Sequence, residues 1–427
     1  MQNSSEKRVL GWHQVLGPGL LFAGAAVGVS HLIQSTRAGG IYGFTLIGFI
    51  LFANLAKYPA FRFGNQYSAA SGSNLIIAYQ RRSAGAIGMF IISTLLTMFV
   101  GCAAVSLTTA GLFIVTFGVE AETFTVVLGV WAIVIAILYF GQFRALDLVV
   151  KLLLAFLTIT TLAATVLVVP SLSQASDLSF WPPQFDTATI IFIAALIGWM
   201  PAPLDTSVWQ SLWSQAKARS ECRSLSMEES ALDFNIGFTG TTLLAICFVI
   251  MGAATLFNSG QEFETSAAGF AGQLVDIYRV TLGDTVATLV GAAAMSVIFT
   301  TTLTAIDAWP RSMASAVTIV RNPSHPPELE LSNNRDKSYW IWMLLLMAGA
   351  AVIINLLTNS FSLLIDIATT VSFVTAPIFA ILNHQAMFGP SVPESSRPSH
   401  AMRIWSLLGI ASLVIFTATY ALLRLNS

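Results

Sequence analysis

Ser30, His31, Gln34 and Arg37 sit close together in an otherwise apolar stretch, and Asp205 follows a Pro-Ala-Pro run much later in the chain. An imidazole and a carboxylate are side chains that hold a metal ion or move a proton. As a ligand, neutral His31 suits zinc, copper, iron or nickel better than magnesium or calcium. It also reads as a hydrogen-bonded histidine inside a helix bundle. Asp205, in Pro-Leu-Asp-Thr-Ser, suits the N-cap of a helix. It suits a ligand role equally, because burying a carboxylate at membrane depth is costly and marks function. Arg37 reads as an outer gate, an anchor for an anionic solute, or a side chain reaching for headgroups. Asp307 and Arg311 stand at i, i+4, a spacing that favours an ion pair over a separate coupling role. Asp366 and Asn355 are weaker candidates of the same kind. Ser30, Gln34, Ser207 and Gln210 suit the polar lining of a cavity. Trp199 and Trp209 suit its walls, and Trp213 suits packing.

The elements that carry these residues follow from composition. The chain has 427 residues, 55% hydrophobic and only 10% charged, with mean hydropathy +0.75. Soluble domains carry about 25% charged residues. Apolar runs repeatedly reach the roughly 20 residues that span a bilayer as a helix, and the alternating strands of a membrane barrel are absent. The expected fold is an all-α polytopic membrane protein with about eleven spans, near 16–42, 43–63, 86–117, 123–141, 147–169, 188–216, 236–257, 282–310, 339–357, 361–382 and 402–423. Residues 258–281 and 311–338 read as surface loops. Residues 1–27 read as part of an uncleaved first helix. Cys102, Cys222 and Cys247 have neither metal-ligand nor disulfide spacing. No phosphate-cradling loop, H-E-x-x-H or nucleophile elbow occurs, so an enzyme, a cofactor, ATP drive and a nucleic-acid partner are not expected.

Two spans are interrupted in a matching way. The first carries GPG at 17–19 and a small-residue run to Ser30; the sixth carries LIGWMPAPLDTSVWQSLW, with Pro201 and Pro203. Proline removes backbone donors and bars helical geometry before it. Broken spans one and six fit two inverted repeats of five, about 16–169 and 188–382, plus an extra helix at 402–423. That is the plan of a secondary transporter with a mid-membrane site. Lys7, Arg8, Arg81, Arg82, Arg144, Lys217, Arg219, Arg223, Arg311, Arg321, Arg335, Lys337, Arg397 and Arg403 fall on one side, and Arg279 and Arg424 on the other. The positive-inside rule puts the N-terminus in the cytoplasm and the C-terminus outside.

The frame GPGLLFAGAAVGVSHLIQSTRAGGIYGF, its continuation TLIGFILFANLAKYP, the sixth span and FVTAPIFAIL at 373–382 resemble the Nramp family of divalent metal transporters. The resemblance covers most of the chain and implies a LeuT-type fold. It departs at the ligands. Gly28-Val29-Ser30-His31 stands where the family has DPGN, and Ala202-Pro203-Leu204 where it has MPH, with Met200-Pro201 as an alternative register. Thr370 stands where the family often has glutamine. Between Gly88 and Phe117 there is no acid, base or arginine, where family members carry a proton pathway.

The resemblance implies a divalent metal ion held by His31, Asp205, Thr370 and the carbonyls near Gly28 and Ala202, with Arg37, Asp307 and Arg311 in gating or coupling. Missing relay groups imply little of the family's usual proton coupling. The alternative keeps the fold and carries a small organic solute, such as an amino acid or carboxylate, in the space left by small residues at 24–30. The expected surroundings are a lipid bilayer, a bacterial inner membrane, and an oligomeric state the sequence leaves open.

Overall fold

The structure is a computed structural model that describes residues 17–174, 185–222, 226–257, 264, 266–322, 337–357 and 360–425. Lys7, Arg8, Arg223 and Arg335 lie outside the described residues, as do 323–336 of the second expected loop. Among the described residues the fold is all-α. In chain order the α-helices are α1 Pro18–Ala26, α2 Thr36–Tyr42, α3 Ile47–Ser71, α4 Leu75–Arg82, α5 Ala84–Phe117, α6 Thr123–Val168 and α7 Thr187–Trp199. Then come α8 Thr206–Ser220, α9 Met227–Thr255, α10 Ala267–Leu282, α11 Asp284–Arg321, α12 Lys337–Leu357, α13 Phe361–Met387 and α14 His400–Leu425.

Eight stretches are long and apolar enough to cross a bilayer, and the bent pair Pro18–Ala26 and Ser30–Tyr42 makes up to nine among the described residues. The remaining two expected spans are α3 and the α7/α8 pair. α3 falls short on apolarity because it buries Asn54, Lys57, Asn65 and Gln66, whereas α7 and α8, of 13 and 15 residues, are each too short to cross alone, and α8 also buries Gln210, Gln215 and Lys217. Polar residues that hydropathy penalises here face protein.

Two expected loops are corrected. Residues 267–282 form α10, and 311–321 continue α11 through Pro310. α6, helical over 46 residues, carries two of the eight stretches, Thr123–Phe140 and Leu146–Val168, where the fourth and fifth spans are expected. Pro and charge mark loops only where packing does not override them, and Arg311, Ser312 and Ser315 are all buried.

The core is concentric. The apolar window of α11 is 78% buried and that of α5 67%, whereas that of α14 is 22%, so α11 and α5 stand at the centre and α14 faces lipid. Leu152, Ile159 and Val166 on α6 likewise point outward, exposed, as apolar side chains do when the solvent is hydrocarbon.

α1 begins on Pro18, the N1 position that proline favours. Its free amides are met from α9: Asp233 accepts the N–H of Gly17 at 2.9 Å and of Gly19 at 2.7 Å. A carboxylate at a helix N-terminus also opposes the positive end of the dipole. Close approach makes this possible, since a Cβ on Gly19 would strike the Asp233 backbone and one on Gly237 that of Gly19. Replacing Asp233 with alanine should therefore cost about 1.5–3 kcal/mol, the value of charge-assisted bonds. Thermal unfolding followed by tryptophan fluorescence reads it; an unshifted midpoint would show that α1 is held elsewhere.

Candidate cation site between two broken helices

Both interruptions expected in the sequence are present. α1 ends at Ala26 and the chain resumes as a π-helical turn over Ser30–Ser35, the two halves bent by 49°. α7 ends at Trp199 and α8 starts at Thr206, with a cis peptide bond between Met200 and Pro201. The breaks face each other, the Ser30 hydroxyl lying 3.4 Å from the Pro201 carbonyl.

Freed carbonyls need partners in a dry interior, and the two breaks find different ones. At the first, the Thr301 hydroxyl lies 3.0 Å from the carbonyls of both Gly24 and Val27, and the Ser30 hydroxyl lies 2.8 Å from that of Ala26. At the second, the partner is charged: Lys57 Nζ lies 2.6, 2.9 and 3.4 Å from the carbonyls of Ile197, Gly198 and Ala202.

A small cavity lies between the breaks, walled by Ser30, Thr97, Trp199, Trp209, Trp309 and Ser372 among others, with room for a few water-sized groups. Trp309 extends across the centre because Gly101 leaves its ring space; a Cβ there would meet the indole. Trp209 meets Trp309 edge to face, centroids 5.2 Å apart, an arrangement aromatic pairs favour. Trp199 is fixed by its indole N–H on Ser372 Oγ at 2.8 Å.

Asp205, 2% exposed, does not itself line the cavity but bonds two side chains that do. It occupies the N-cap position of α8 yet makes no capping bond. Its Oδ2 instead accepts from Trp309 Nε1 at 3.3 Å and Thr97 Oγ1 at 3.5 Å. Oδ1 is buried and has no hydrogen-bond partner among the described residues. An ionised carboxylate with one oxygen unmatched in such surroundings is costly unless something positive meets it.

Other expected ligands are engaged elsewhere. His31 Nε2 lies 3.0 Å from the Thr241 carbonyl, which can only accept, so Nε2 carries hydrogen. Nδ1 lies 2.8 Å from Ser30 Oγ, and the ring does not line the cavity. The Gly28 carbonyl accepts the N–H of His31 at 3.1 Å and of Leu32 at 2.8 Å, and the missing side chain admits Thr301. Ala202 offers its carbonyl to Lys57. Thr370 is half-buried, and α13 presents Ser372 to the cavity in its place.

Among the expected lining residues, Ser30, Trp199 and Trp209 are at the cavity and Gln34 and Ser207 are not. Gln34 Oε1 takes Arg37 Nη1 at 3.4 Å, and Ser207 Oγ bonds the Leu204 carbonyl and Asn383 Nδ2, each at 2.7 Å. Gln210 is buried, and neither of its amide atoms has a hydrogen-bond partner among the described residues. Arg37 also stacks over Phe192 of α7 at 5.3 Å. Asp307 and Arg311 pair through two bonds, at 2.6 and 3.1 Å. Trp213 of α8 and Tyr339 of α12 add bonds to the same carboxylate at 3.2 and 3.0 Å. Asn355 is exposed and bonds its own helix.

Sequence reasoning passed over Lys57, Thr97, Thr301, Trp309 and Ser372. Only Lys57 carried a signal, a lone cation inside an apolar span. The hydroxyls and Trp309 could be placed only by helix rotation.

The chain resembles known proteins over nearly all its length. It is 32% identical over 420 residues to the uncharacterized protein PM0681 of Pasteurella multocida (strain Pm70), covering 96% of this chain and 93% of that one. A solved structure of the Eremococcus coleocola manganese transporter, in complex with an aromatic bis-isothiourea compound, superposes with a TM-score of 0.69 at 16% identity. That match covers 95% of this chain and 85% of the other. Mhp1, a nucleobase-cation-symport-1 family transporter in a closed conformation with bromovinylhydantoin bound, matches with a TM-score of 0.57 at 12% identity, over 94% and 91% of the chains. Both matches are at the level of the fold, and the breaks described above are where the expected LeuT-type arrangement has them. The sequence profile of the natural resistance-associated macrophage protein-like family matches residues 19–423, and the chain belongs to that family, Nramp.

Proposed function

We propose that this protein is a secondary transporter that carries a divalent metal cation through the cavity between its broken helices, with Asp205 as the counter-charge. The carrying observation is the buried Asp205 Oδ1, which has no hydrogen-bond partner among the described residues. Family membership and the fold-level likeness to a manganese transporter support the cargo class. Among the described residues no three His, Cys, Asp or Glu side chains gather, so protein donors near the cargo are one carboxylate and hydroxyls such as Thr97 and Ser372. Hard oxygen donors suit magnesium or manganese, which keep several waters, better than copper or zinc. α5 carries no acid, base or arginine along Ala84–Phe117, which supports transport without a proton relay through that helix.

A second reading, a small organic cation, is favoured by one observation: Trp199, Trp209 and Trp309 wall the cavity beside a carboxylate, and aromatic faces attract ammonium groups. An anionic solute is disfavoured, since it would meet Asp205. Protein reconstituted in liposomes that hold a metal-quenched dye and a pH dye distinguishes these. Saturable entry of manganese or magnesium without matching acidification is expected. Entry of methylammonium but of neither metal would replace the first reading by the second, and metal entry with stoichiometric acidification would remove the coupling proposal.

A further inference from the structure

Lys57 is fully buried on α3, in the middle of the molecule. Its Nζ has three carbonyl oxygens in reach, two at the C-terminal end of α7 and the third, Ala202, in the break beyond it. Three acceptors match the three donors of an ammonium group. The two carbonyls at the α7 end also carry the negative pole of a helix dipole. The carboxylate whose charge acts on Lys57 is Asp205, across the same break. A ring of carbonyls at a helix C-terminus is the kind of nest that takes a small cation in a membrane protein. Here the chain supplies that cation itself, on a four-carbon stem.

We infer that the Lys57 ammonium is a tethered cation: it fills a monovalent-cation nest formed by the Ile197, Gly198 and Ala202 carbonyls and thereby fixes the shape of the second break. The first break needs no charge, because the hydroxyls of Ser30 and Thr301 satisfy it. The second uses hydroxyls only near α8, Thr206 on the Pro203 carbonyl and Ser207 on that of Leu204, each at 2.7 Å; among the described residues no hydroxyl bonds the carbonyls of Ile197, Gly198 or Ala202. Two consequences follow. The Ala202 carbonyl is turned towards Lys57 and away from service to the cargo. The protein also needs no dissolved monovalent cation to hold the break closed. Lys57 is thus a positioning residue, and its role holds whatever the cargo is.

The test is chemical rescue. Wild-type protein, Lys57→Ala and Lys57→Met are purified in detergent, and thermal midpoints are measured at constant ionic strength. N-methylglucamine chloride is exchanged stepwise for sodium, potassium, ammonium or methylammonium chloride. Wild-type midpoints should be flat across the series. Lys57→Ala, which leaves the nest empty and reachable, should fall by on the order of 5–10 °C in N-methylglucamine. At least half of the loss should return, saturably, with ammonium or methylammonium at millimolar levels. Lys57→Met keeps the stem in place and should be destabilised without rescue. If Lys57→Ala aggregates in N-methylglucamine, it should fold when prepared throughout in methylammonium, and aggregation in both overturns the inference. So would equal rescue of Lys57→Met, no rescue of Lys57→Ala by any of the four cations, or a saturable cation response in the wild type. No cargo is present in the assay, so failure here leaves the transport proposal standing, and failure of transport leaves this inference standing.

Discussion

Asp205→Asn should reduce cargo uptake about a hundredfold or more while the protein still folds. Asparagine has nearly the same shape, and its amide oxygen can still accept from Trp309 and Thr97. What it lacks is the negative charge on the oxygen that has no hydrogen-bond partner among the described residues. Removing one partner of a buried charge pair costs about 3–5 kcal/mol, and each 1.4 kcal/mol is a factor of ten. No acid lines the cavity to replace it, since its walls are indoles, hydroxyls and small apolar side chains. Uptake into liposomes, with circular dichroism to check the fold, measures the effect. Wild-type rates in a folded Asp205→Asn protein would remove Asp205 from the site.

Arg311→Ala should be the most destabilising single change, by about 3–5 kcal/mol, because it leaves Asp307 charged and uncompensated in the interior. Arg311 and Asp307 are 1% and 0% exposed at their side chains. They stand where α11, α8 and α12 meet, with Trp213 and Tyr339 bonded to the same carboxylate. Breaking one partner differs from removing both. The double variant Asp307→Leu, Arg311→Met should recover much of the loss, since buried pairs often gain little over apolar residues of similar size. It should stop short of full recovery, because the Trp213 and Tyr339 donors then lose their acceptor. Thermal unfolding of the three proteins provides the comparison; a double variant no better than Arg311→Ala would mean that the pair contributes more than mutual neutralisation.

Composition alone determined that the chain is helical and crosses a membrane, because hydrocarbon demands long apolar stretches with every backbone group paired along the helix. Proline and glycine marked both breaks, since a missing N–H or side chain acts locally whatever surrounds it. The i, i+4 spacing of Asp307 and Arg311 foretold their pairing, which the helix alone imposes. Asp205 was visible as an acid at a break, although whether it capped its helix or bonded side chains of the cavity wall depended on what stood opposite.

Tertiary structure decided the rest. It turned His31 towards Thr241 and away from the cavity, brought Trp309 over Gly101 to meet Asp205, and chose Ser372 over Thr370 on α13. It gave the freed carbonyls at 24, 26 and 27 to hydroxyls and those at 197, 198 and 202 to Lys57. Each of these depends on the rotation of a helix about its axis and on which helix lies across from it. An apolar sequence records such rotation poorly, because in a membrane the outer and inner faces are both hydrophobic.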